Sequence, residues 1–287
     1  MKSDPTYNLF IYGLSDDNQE FMGRPTTVYA DTLVSNLLVS QVPEAHTAMV
    51  AITIWMQVVH SLHSAYGACR SSISEERRGL SGRNLQRSTD NDPSLFIDEA
   101  AAYWMGDNQD TGSSSQGHLL YALTEFIADK FETPSESEST INLKVIDLFN
   151  KANNHIAISR SCSTSEKSHL KLKGIVDELI PLMAVPLLRC LLYHLSKNEV
   201  TLVKVYATAV LPLFSACASA TYRELKSLLI DPSDLSLVSI KTDYVVSKIQ
   251  SMYSCLGKCS SLPSIQILPV LLLMRILYSF LVLRIDM

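Results

Sequence analysis

The sequence lacks the short motifs by which catalytic sites are usually recognised. It holds no G-x-S-x-G elbow, no Walker-type phosphate loop, no G-x-G-x-x-G fingerprint and no H-E-x-x-H pair, so hydrolase, nucleotide and zinc-protease readings lose their usual entry points. No constellation of nucleophile, base and orienting group is visible, and the chain reads as a non-enzyme. Basic charge is short as well. With 24 Lys plus Arg against 29 Asp plus Glu, the net charge is -5, which leaves no broad basic surface for phosphates and excludes nucleic acid as a partner. Six cysteines (Cys69, Cys162, Cys190, Cys217, Cys255, Cys259) are too few to build a disulfide scaffold in 287 residues, although an even number permits one to three bridges. Cys190 and Cys217, set among Leu, Val and Ala, read as buried small apolar side chains. Cys255 and Cys259 are a helical turn apart but have no second thiol pair to complete a metal site. There is no N-x-S/T sequon, and the opening MKSDPTYNLF has no charged n-region followed by an apolar run, so no signal peptide is present in the chain as given.

What the chain does have is apolar content and helical rhythm. Hydrophobic residues make up 47% of it, enough for a sizeable core. Apolar residues recur at three- and four-residue spacing over 27–40, 43–69, 95–105, 116–131, 141–153 and 166–195, and no comparable run of period-two alternation competes with them. Ser94 precedes one of these helices and Gly106 follows it, while Pro43 suits the first turn of another. The expected fold class is all-α, an irregular multi-helix domain. Residues 70–93, rich in Ser, Arg, Gly and Asn, read as a solvated linker between residues 1–69 and a larger part, 94–257. A second polar stretch, 133–140, reads as a shorter loop.

The two parts share landmarks. Ile11-Tyr12-Gly13, Asp16 and Asp17, Gly23 and Tyr29-Ala30-Asp31-Thr32 in the first correspond to Trp104-Met105-Gly106, Asp107 and Asp110, Gly117 and Tyr121-Ala122-Leu123-Thr124 in the second. They predict two weakly similar, unequal helical repeats, each a helix, an acidic Gly-bearing turn and a helix. Residues 258–287 end the chain with an apolar tail in which Arg275 and Pro269 interrupt the run. The tail is long enough to cross a bilayer, which makes membrane contact one reading, a packed terminal helix a second and an artefactual extension a third.

Metal-ligating patterns are sparse. Glu166 and His169 supply one Glu-x-x-His where a di-iron bundle needs two, and His60 and His63, with His46 further back, lack a third ligand at helical spacing. The most suggestive set lies elsewhere. Glu99 and Tyr103 share a helix face, Asp107 follows the Gly-marked end, and His118 and Tyr121 open the next helix. Carboxylate and phenolate oxygens suit a hard trivalent cation, and helix N-terminal amides suit a small anion. The competing reading makes Tyr103, Trp104 and Tyr121 core aromatics and the acids solvated.

The order IDEAAAYWMG, QGHLLYALTEFIADKF, INLKVIDLFNKANNHI, LIPLMAVPLLRCLLYHL and VKVYATAVLPLFSAC, over residues 97–217, resembles the algal iron-assimilating, phytotransferrin-like proteins. The resemblance implies a secreted or cell-surface, non-enzymatic protein that binds Fe(III), with carbonate as co-ligand, through Glu99, Tyr103, Asp107, His118 and Tyr121. The first part carries Tyr7 and Phe10 where the second has Ala100 and Tyr103, with no acids matching Asp98 and Glu99, so the implied site belongs to the second part. The alternative is a metal-free helical protein-interaction module.

Overall fold

A computed structural model describes residues 5–16, 18–77, 92–131, 134–135, 138–159, 162, 167–215, 217–231 and 242–256. The apolar tail at 258–287 and its membrane reading lie outside them, as do Glu166 and residues 78–91 of the 70–93 stretch.

The described chain is helical almost throughout. It begins with α1 (Pro5–Leu14), a two-residue hairpin of β1 (Glu20–Phe21) and β2 (Arg24–Pro25), a 3-10 turn (Thr26–Val28) and α2 (Tyr29–Leu38). Next come α3 (Val42–Ala48), a π-helical segment (Met49–Ile54) and α4 (Trp55–Arg77), which follow one another without a break. The single periodic run expected over 43–69 is therefore split by a stretch of i→i+5 bonding, and α4 continues past Cys69, so that residues 70–77 of the expected linker are helix. After residue 91 come α5 (Pro93–Met105), α6 (Leu120–Lys130), a hairpin of β3 (Pro134–Ser135) and β4 (Glu138–Ser139), and α7 (Thr140–Ile158). The chain goes on through α8 (Ser168–Ser196), α9 (Val200–Val210), a 3-10 turn (Leu211–Phe214), α10 (Ser219–Leu229) and α11 (Thr242–Leu256).

Local sequence explains the boundaries. Asp92, not Ser94, caps α5, accepting the Ser94 amide hydrogen at 3.0 Å, with Pro93 preset in the first turn. Gly106, at φ +80°, ends the same helix in a left-handed conformation open to glycine. Ser139 caps α7 through its hydroxyl, which accepts from the Ile141 amide. The expected helix over 116–131 starts four residues late because 106–119 forms its own loop. There Gln109 packs on Gly117 so tightly that a Cβ at that glycine would meet its amide oxygen at 2.1 Å.

α4 and α8 form the spine: α4 packs on α1, α5 and α8, and α8 on α6, α7, α9 and α11. The face is nearly seamless along α8, where Met183, Ala184, Val185, Leu187, Leu188 and Leu191 are all fully buried despite Pro181 and Pro186 within the helix. Each such Leu or Val contributes about 1.5–3 kcal/mol over its exposed state. One continuous core takes in Phe10, Leu33 and Leu62 from before residue 70 and Ile97, Val145 and Leu188 from after it, so the described residues do not divide into two separate cores. The helix from Val42 to Ser71 is long and apolar enough to cross a membrane by composition, but 61% of its most apolar window is buried within the molecule.

The repeat landmarks do different work. Gly13 lies inside α1 against Pro212 and Tyr222, whereas Gly106 terminates α5. Tyr29 and Tyr121 are both buried, as are Thr32 and Thr124.

Cysteine usage agrees with expectation in having a bridge and a buried Cys190, and departs from it at Cys217. Cys69 at the end of α4 is joined to Cys162 after α7. Cys217, expected as a buried apolar side chain, is half-buried and disulfide-bonded. Cys190 is the buried apolar side chain expected: it is a free thiol, and burial pushes it up to about 12.

Candidate functional site

The five residues implied as ligands occupy different surroundings. Glu99 on α5 turns to α4, accepting from Ser61 Oγ at 3.0 Å and Gln57 Nε2 at 3.3 Å. Tyr103, one turn on, is half-buried against the core. Asp107 is exposed and holds the loop, its carboxylate accepting from the Asn108 amide and side chain at 2.9 and 3.1 Å. His118 is exposed beside His46, their ring centroids 6.3 Å apart. Tyr121 is fully buried. Among the described residues no group of three or more His, Cys, Asp or Glu is arranged to hold a metal ion.

Tyr121 belongs to a polar network that the sequence does not announce. Its hydroxyl donates to Glu138 Oε1 at 2.5 Å and accepts from the Gly112 amide at 2.9 Å. One turn further along α6, the buried Glu125 carboxylate accepts the Ser139 amide hydrogen at 2.9 and 3.0 Å, and Asn142 Nδ2 donates to Glu125 at 2.6 Å and to the Tyr121 carbonyl at 3.1 Å. Asn142 Oδ1 accepts from Trp104 Nε1 at 3.0 Å, which fixes the amide's orientation, since a flip would set donor against donor. Loop 106–119, α5, α6, the β3–β4 hairpin and the start of α7 are tied together at this point. Burial, then the bond to Glu138, pushes the Tyr121 phenol well above its ordinary range. Burial also raises the Glu125 carboxyl, against the pull of Asn142 and the Ser139 amide. Glu125 was within sequence reach as the residue one turn from Tyr121. Glu138 and Asn142 were not, because only the hairpin brings them back.

A second candidate is a cleft of about 900 Å³ between the end of α1 and α10, lined by Leu9, Tyr12, Gly13, Asp16, Arg223 and Lys226 among others. Its walls are cross-linked. The Tyr222 hydroxyl donates to the Gly13 carbonyl, and Lys226 Nζ to the Ser15 carbonyl at 2.7 Å. Tyr12 stands 87% exposed on one wall, and Arg223 is exposed on the other with its Nε on the Ser219 carbonyl. Comparison with protein-family models, with curated proteins and with solved structures finds no match for this chain.

Proposed function

We propose that the chain is a non-enzymatic helical interaction module that works outside the cell and takes a segment of a partner protein in the cleft between α1 and α10. The observation that carries this reading is the cleft itself, lined by an almost fully exposed Tyr12 on α1 and an exposed Arg223 on α10. Tyr and Arg are, with Trp, the side chains enriched at the energetic centres of protein interfaces. The disulfides at Cys69–Cys162 and Cys217 support an oxidising surrounding. To test it, a photo-crosslinking benzophenone residue replaces Tyr12 or, as a control, Ile158, which is 82% exposed elsewhere. Crosslinking to one discrete protein from position 12, lost with Arg223→Ala, supports the reading. Identical products from both positions contradict it.

A ferric-iron function with carbonate is the second reading. One observation favours it: Tyr121 and Glu138 bring phenol and carboxylate oxygens, both hard donors, into contact. Binding there would require the phenol to lose its proton and with it the bond it donates to Glu138.

A further inference from the structure

His46 on α3 and His118 just before α6 come together from opposite sides of the 78–91 stretch. Their ring centroids are 6.3 Å apart and the planes meet at 89°. Both side chains are exposed, and neither imidazole is hydrogen-bonded to another described residue. They stand at one small pocket, about 180 Å³, which the hydroxyl-bearing Thr47 and Ser114 also line. The structure does not use these rings to satisfy buried groups or to fill the core.

We propose that His46 and His118 together hold one divalent late-transition ion of the Zn²⁺ and Cu²⁺ class, with Thr47, Ser114 or water completing its shell. Imidazole nitrogen suits these ions, whereas Fe(III) prefers oxygen. Two bonds of about 2.0–2.1 Å to a shared ion require both exposed rings to turn a nitrogen towards the space between them, which their 6.3 Å centroid separation spans. With two protein ligands the site is weaker than a structural zinc centre, and its effect is to clip α3 to the loop preceding α6. It is distinct from the α1–α10 cleft and does not depend on the function proposed there.

Calorimetric titration with Zn²⁺ alone tests it on the full chain. One ion should bind per chain, with at least a tenfold loss of affinity in His46→Gln and in His118→Gln and no change in His60→Gln. Because a substitution can act through folding, imidazole NMR signals of the unaltered protein supply a second reading: His46 and His118 should shift together with one equivalent of Zn²⁺. An unchanged isotherm in His118→Gln, shifts confined to other histidines, or no binding at all would overturn the proposal.

Discussion

Asn142 shows how much one buried amide can hold. It serves the Trp104 indole, the Tyr121 carbonyl and the Glu125 carboxylate at once, so Asn142→Leu orphans the indole N–H and leaves Glu125 with the Ser139 amide alone, while keeping the volume. Because an orphaned buried polar group costs roughly 1–3 kcal/mol and the effects here overlap, we expect a loss of about 2–4 kcal/mol in urea unfolding. A loss under about 0.5 kcal/mol would mean the network relaxes or admits water. Glu125 gives a pH signature. Burial raises its carboxyl above 4.5, so the folded chain holds this proton to higher pH than the unfolded chain does. The stability it contributes is complete below 4.5 and is lost as pH rises through the folded value. The difference in unfolding free energy between the native sequence and Glu125→Gln should therefore fall from acid towards neutral pH. A difference that grows over that window would show that the hydrogen bonds from Asn142 and Ser139 outweigh desolvation.

Among the elements, α4 and α7 are joined by Cys69–Cys162, which closes a separation of 93 residues. The chain-entropy relation for a loop of this size gives about 4–5 kcal/mol of stabilisation, and native strain lowers it. Replacing both cysteines with serine should cost about 2–5 kcal/mol in denaturant unfolding, with helical content retained under native conditions. A null effect would mean that α4 and α7 are already held fully by packing. This bridge is hidden in the sequence, where six cysteines allow many pairings, while the helices it joins are plain from apolar spacing. Helix ends are legible where one residue decides them, as at Gly106, and illegible where a loop closes on itself, as at Gly117 and Gln109. The π-helical segment before Trp55 leaves the apolar rhythm of 43–69 intact, so periodicity reads one helix there. The candidate metal set fails to be legible for a related reason. Residues near in sequence around a helix end point in different directions, so Glu99 reaches α4 while Tyr121 turns inward to Glu138.

At the scale of the whole molecule, one core spans both sides of the 78–91 stretch, and the most chemically loaded neighbourhood is consumed in joining its elements. The Tyr121 hydroxyl, the Glu125 carboxylate and the Asn142 amide of that neighbourhood are already paired, and burial and the bond to Glu138 hold the Tyr121 phenol protonated. The surface proposed for recognition is the cleft flanked by Tyr12 and Arg223. The central claim, that this is an interaction module whose buried tyrosine is a structural tie, is tested most directly by titrating the purified full chain with ferric iron in bicarbonate while following the visible spectrum. The account predicts no phenolate-to-iron charge-transfer band and an unfolding midpoint unmoved by iron. A band that saturates at one iron per chain and disappears in Tyr121→Phe or Tyr103→Phe, with helicity retained, would contradict it.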